Sequence, residues 1–244
     1  MSKNILKQSV CYVNGEGELL LLFDEGYLPF KNLDEALEST QRRLAYLMDE
    51  TNSFFRTTAA SPKSGAKRVL FLLSQVSEDF NIKQSLACRL EIIKDIFFEM
   101  LKEMEATKIY YKRNGDNSKL IERIVQIRNK LISIYVQLEK MVKMKSVNCN
   151  VLRKVDDYLQ LCEQELTTFI SMGKEMDGYA INRIRKKIIN CKYELKSAYY
   201  VDPYRKSFNK IFNTLELSGD LEENIKKSNP QKLYRQVKEA RTLL

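Results

Sequence analysis

Along most of the chain, apolar residues recur at alternating steps of four and three. That spacing keeps one stripe of an α-helix turned towards the same neighbour. Leu33, Leu37, Thr40, Leu44, Leu47, Thr51 and Phe54 form the first such run. Asn32, with Glu35 three residues on, predicts its start, because each side chain of that pair can meet a backbone N–H that the first turn leaves unbonded. Residues 57–67, rich in small side chains and carrying Pro62 and Gly65, read as a linker.

From about residue 69 to 111, two registers follow each other. Val69, Leu73, Val76 and Phe80 set one; Leu86, Leu90, Ile93, Phe97, Met100 and Met104 set another. The six-residue step between them predicts two helices or one kinked helix. Between Gly115 and Gly173 there are then 57 residues without a glycine or a proline. Leu120, Ile124, Ile127, Leu131, Ile134, Leu138 and Met141 keep a 4-3 seam there, continued through Lys145 and Asn148 to Leu152, Val155, Leu159, Cys162, Leu166 and Phe169. Either one helix spans the stretch, or residues 146–150 turn it into a hairpin. Continuity of register favours the single helix, in which Lys145 and Asn148 become polar seam positions that fix register and partner number.

After a turn from Gly173 to Gly178, a helix carries Ile181, Ile184, Ile188, Cys191, Leu195 and Ala198, and stops at residues 201–203. Pro203 opens the next helix, lined by Tyr204, Phe208, Ile211 and Leu215 and ended by Gly219. Asn229-Pro230 caps a last one through Leu233, Val237 and Ala240. The first 30 residues differ. Tyr12-Val13, the polar turn Asn14-Gly15-Glu16-Gly17 and Leu19–Phe23 predict a β-hairpin, with 24–30 leading out as loop. The fold class expected is all-α: an elongated antiparallel helical bundle or coiled coil with a small N-terminal β-hairpin. The segments expected are the hairpin at 1–30, a long-helix body at 31–200 and basic C-terminal helices at 201–244.

Composition narrows the function classes. With 44% apolar and 30% charged residues and only 8 Gly and 4 Pro, the chain lacks the turn residues of a sandwich or barrel. Its longest apolar runs, 19–23 and 69–73, are five residues each, against about 20 for a membrane span. The polar turn at 14–17 interrupts the place of a signal peptide's apolar core, so the reading is intracellular, cytoplasmic or nuclear, with no transmembrane segment. Five scattered cysteines, none in C-x-x-C spacing, read as reduced apolar side chains, with Cys88, Cys162 and Cys191 on or beside the stripes.

The chain contains no histidine. That removes the usual general base near neutral pH, the Ser-His and Cys-His nucleophiles, and the mixed Cys/His zinc site. Gly173 and Gly178 have the glycine spacing of a phosphate loop, but Tyr179 stands where its lysine belongs. The expectation is a protein without catalytic residues, cofactor, metal or small-molecule substrate.

Charge adds one feature that the helical pattern does not contain. Residues 183–244 hold 15 Lys/Arg against 7 Asp/Glu, a net of +8, while the whole chain carries +9. Arg183, Arg185, Lys186, Lys187, Lys192, Lys196, Arg205, Lys206 and Lys210 are the candidate contacts for an anionic partner. Leu120, Ile124, Ile127, Leu131, Ile134, Leu138, Leu152, Val155, Leu159 and Leu166 are the candidate seam for a helical partner. Together these predict a helical scaffold or adaptor that binds protein partners, itself or other helical chains. The alternatives are nucleic acid, or an anionic membrane as in a BAR-like module, bound through the basic quarter.

Overall fold

The computed structural model describes residues 11–16, 18–23, 26–58, 65–81, 85–115, 117–173, 176–200, 204–217 and 229–244. Three strands open the chain: β1 (Cys11–Val13), β2 (Leu19–Phe23) and β3 (Gly26–Phe30), hydrogen-bonded in the order β1-β2-β3. The links between them are too short for a parallel crossover, so both pairs are antiparallel. The predicted hairpin is present. The Asn14 side chain builds its turn by accepting from the N–H groups of Glu16 (3.0 Å) and Glu18 (2.9 Å). The stretch read as an exit loop is instead the third strand. Its Pro29 cannot donate to a ladder, which confines it to the sheet edge where β3 lies.

Seven helices follow among the described residues: α1 (Leu33–Thr58), α2 (Ala66–Asn81), α3 (Leu86–Arg113), α4 (Ser118–Met172), α5 (Gly178–Ser197), α6 (Tyr204–Thr214) and α7 (Pro230–Thr242). The fold is all-α with a small β element, as the periodicity predicts. α4 is one helix of 55 residues, not a hairpin at 146–150. The register break after Phe80 is a true interruption, with Ser85 capping α3. Of the predicted linker, Thr57 and Thr58 still belong to α1 and Ala66 already to α2; 59–64 lie outside the described residues, as do 201–203 and Gly219.

By packing, the chain divides into two compact units, one from the described parts of 1–12, 21–28 and 34–142, the other from those of 13–20, 29–33 and 143–244. These do not follow the predicted segments, because the division falls inside α4, where composition does not change.

In the first unit α2 and α3 form an antiparallel hairpin, with Arg68 paired to Glu99 at one end and Arg89 donating to the Phe80 carbonyl (2.9 Å) at the other. Gly65, at φ +32°, starts α2; a Cβ there would stand 3.0 Å from Thr107 Oγ1, so only glycine fits without displacement. The residues of α4 up to 142 lie beside α3 through the stacked rings of Phe97 and Tyr135 (4.7 Å) and beside α1 through Arg123 and Glu50. Thr40 and Thr51 hold buried seam positions of α1 because each hydroxyl donates to the carbonyl four residues back, at 2.8 and 2.6 Å. The seam closes on Phe55, fully buried, rather than on the half-buried Phe54.

In the second unit α4 from residue 143 packs against α5, α6 and α7. Val155, Leu159, Cys162 and Leu166 meet Ile184, Ile188, Cys191 and Leu195 from α5, Phe208 and Ile211 from α6, and Leu233 and Val237 from α7. Truncating any such Leu to Ala costs about 2–5 kcal/mol. Arg241 of α7 ties to Asp156 (2.8 Å) and Glu163 (2.6 Å) of α4. α6 ends in a Schellman turn, with Leu217 N–H donating to Phe212 O and Glu216 N–H to Asn213 O. Glu216 takes the left-handed conformation there, φ 53°, in place of the expected stop at Gly219.

Candidate functional site

The helix seam is filled from within the chain. Ile124, Ile127, Leu131, Ile134, Leu138, Val155, Leu159 and Leu166 are buried, and Leu120 and Leu152 are half-buried. Apolar stripes that the sequence offers equally to a second chain are covered here by the protein's own helices. The predicted surface for a helical partner is therefore core, a correction to that assignment.

Nor does the buried stripe pass through Lys145. That residue is exposed, and Met144 and Val151 take the places expected of Lys145 and Leu152. Two successive three-residue steps, 138 to 141 to 144, turn the ammonium out of the core; two four-residue steps, 151 to 155 to 159, restore the register. Taking an ammonium out of water costs far more than a local change of phase. Asn148 does stay buried, because its amide has partners. Its Nδ2 donates to Tyr199 O (3.1 Å) and its Oδ1 accepts from Tyr199 N (2.8 Å).

The basic residues of α5 do not form one face. At about 100° per residue, the buried Ala180, Ile184, Ile188, Cys191 and Leu195 define the inner side, and the cations fall on both flanks. Arg183 and Lys187 share the flank towards α4, where the carboxylate of Glu165 accepts from Arg183 Nε (2.7 Å) and Lys187 Nζ (2.6 Å). On the same flank Glu194 pairs with Lys154 (3.1 Å). Arg185, Lys192 and Lys196 share the opposite flank by phase. On α6, Arg205 donates to the Gly15 carbonyl (2.9 Å), while Lys206 and Lys210 are exposed. Part of the excess charge is thus neutralised locally or committed to holding the fold.

What remains on the outer side of α5 is a set that charge counting misses. Tyr179, Lys186 and Tyr193 recur every seven residues, about 10 Å apart along the axis. The two tyrosines are 70% and 66% exposed. Arg183 lies over the Tyr179 ring at 4.8 Å and holds it against the helix. Asp177, accepting from Ala180 N–H at 2.7 Å, fixes the start of α5 and hence the position of Tyr179 in its first turn. The signal was in the sequence: the two tyrosines stand directly opposite the predicted stripe once the helix is drawn.

The cysteines divide by burial. Cys11, Cys162 and Cys191 are buried, while Cys88 and Cys149 are exposed, so Cys88 is not the packed side chain expected of it. Burial pushes the Cys162 thiol up to about 12 and Cys191 above its ordinary value as well. Neither has thiolate character near neutral pH. Among the described residues no group of Cys, Asp or Glu is arranged to hold a metal ion, and no helix is long and apolar enough to cross a membrane. Comparison with protein-family models, curated proteins and solved structures finds no match to this chain.

Proposed function

We propose that the protein is a helical adaptor without catalytic chemistry, and that it meets an acidic helical protein partner on the outer face of α5. The observation that carries this is the heptad-spaced exposure of Tyr179, Lys186 and Tyr193. Tyrosine and arginine are the residues that anchor protein interfaces, and tyrosine keeps its hydroxyl wet while its ring packs on a partner. A repeat of seven on the open side of a helix that already buries its other side suits a partner helix laid alongside. The lysine at the centre of the row favours acidic residues opposite it.

A second reading, nucleic acid, draws on the same rings as stacking platforms and on exposed Lys186, Lys196, Lys206 and Lys210. The engagement of Arg183, Lys187 and Arg205 with protein groups weighs against a continuous phosphate track.

Fluorescence anisotropy with two labelled probes separates the readings: a designed acidic heptad peptide and a single-stranded oligonucleotide of equal net charge, each titrated at rising salt. The adaptor reading expects tighter binding of the peptide, lost in Lys186→Glu and in the double variant Tyr179→Ala, Tyr193→Ala. Preference for the oligonucleotide, with affinity falling steeply in salt, supports the second reading. Binding of neither probe removes this face as a contact surface for anions.

A further inference from the structure

In the first unit, the flank of α3 nearer α4 carries a large apolar side chain in the open. Phe98 is 43% exposed, and its ring meets Tyr135 of α4 edge-on at 5.6 Å. Val136, the next residue of α4, is exposed beside it. At about 100° per residue, Glu91 and Asp95 fall within about 60° of Phe98 around α3, and both are exposed. Glu139, one turn along α4 from Tyr135, is exposed as well. The face is therefore apolar at its centre and acidic around it, with Lys94, half-covered, at its side.

The buried Tyr135 shows how closely the three acids gather. Burial pushes its phenol up to about 12, and the charges of Glu139, Glu91 and Asp95 act in the same direction. Carboxylates grouped about one ring repel each other, and a cation laid among them relieves that repulsion.

The outer face of α5 has the complementary composition and the same spacing. Lys186 stands seven residues from Tyr179 and from Tyr193, and Glu91 stands seven from Phe98. Laid side by side, Lys186 falls opposite Glu91 and within reach of Asp95, while a tyrosine falls opposite Phe98. That match holds whichever way the two helices run, because a tyrosine lies at each end of the α5 row. Aromatic pairs and desolvated charge pairs of this kind give an interface both anchors and register. Tyr179, Tyr193 and Phe98 are all exposed in the same chain, so each face is left for a neighbour.

We propose, resting on the adaptor reading of α5, that the acidic partner is a second copy of this chain. The outer face of α5 in one copy lies along the flank of α3 and α4 that carries Glu91, Asp95, Phe98 and Val136 in the other.

Sedimentation equilibrium of the full chain at low and at physiological salt tests it. The mass is expected to rise with protein concentration, and less so at the higher salt. Lys186→Glu and the double variant Glu91→Lys, Asp95→Lys should each weaken association about tenfold. Mixed in equal amounts, the two variants should associate again, since acid then meets base at both contacts. Phe98→Ser should weaken association about tenfold without any change of charge. A monomer at every concentration that still binds the acidic heptad peptide overturns this inference and leaves the adaptor reading standing; a monomer that binds no such peptide removes both. Association undiminished in either charge variant, or mixed variants that stay apart, overturns it as well. Should the double variant fail to fold, as read by circular dichroism, Phe98→Ser decides, and undiminished association there overturns the proposal.

Discussion

Asn148, in the middle of a 55-residue helix, grips the backbone of Tyr199 from both sides, donating to its carbonyl and accepting from its N–H. The contact holds the chain where it leaves α5, just past the last helical residue, Ser197. A polar residue in an apolar seam thereby becomes a clasp. Asn148→Leu removes both bonds and leaves two backbone groups unpaired. The expected cost is about 2–4 kcal/mol, read as a lower urea midpoint. A loss below about 1 kcal/mol would show that water replaces the clasp without penalty.

Glu165 accepts from Arg183 and Lys187 at once and is itself mostly covered. Glu165→Gln is expected to cost only about 0.5–1 kcal/mol, because both cations reach solvent and are screened there. The same variant releases positive charge beside the outer face of α5. On the adaptor reading it tightens the acidic peptide in the anisotropy titration, most at low salt. Unchanged affinity would separate that flank from the contact surface.

At the end of α6, Glu216 occupies a left-handed position that glycine fills at no steric cost. Glu216→Gly is expected to stabilise the second unit by about 0.5–1 kcal/mol, even with the loss of the contact from Gln236 at 3.3 Å. Glu216→Ala keeps the strained backbone and should gain nothing. Paired thermal melts of the two variants check this.

The buried thiols set a dependence on alkaline pH. Cys162 is raised from its ordinary 9.0 to about 12, and Cys191 is raised too, both by burial that disfavours the thiolate. From pH 9 upward the unfolded chain gives up these protons while the native chain keeps them. The stabilisation is therefore complete below pH 9 and lost progressively towards pH 12, with a slope of at most about 1.4 kcal/mol per pH unit per thiol. Melting temperatures should be level from pH 7 to 8.5 and fall above pH 9, less steeply in Cys162→Ala. In the native protein a thiol reagent should reach Cys88 and Cys149 promptly, and Cys11, Cys162 and Cys191 only on unfolding.

Helices were legible in the sequence because period and length are local properties. The stripe from Ile124 to Leu138 and that from Val155 to Leu166 read directly, as did the break after Phe80. Two kinds of error share one cause. An apolar seam states that it must be covered, not by which chain, so Leu131 and Leu159 read equally as core and as docking surface. Likewise Lys145 fitted the repeat by spacing alone, and only the presence of Met144 beside it decided which residue turned inward. The third strand was missed because Pro29 argues against a central strand but permits an edge. On α5, counting charge pointed to Arg183 and Lys187, which the fold uses internally, and passed over Tyr179 and Tyr193. Their significance depends on what lies opposite them on the helix, a relation that composition does not carry.

The central claim is that the outer face of α5 is where this protein meets its partner. Photo-crosslinking in the native cell tests it most directly, with benzoyl-phenylalanine placed at Tyr193 and, as a control, at the exposed Leu161 of α4. The account predicts a protein adduct of defined mass from position 193, absent from position 161 and abolished by Lys186→Glu in the same chain. Equal labelling from both positions, or an adduct indifferent to Lys186→Glu, would contradict it.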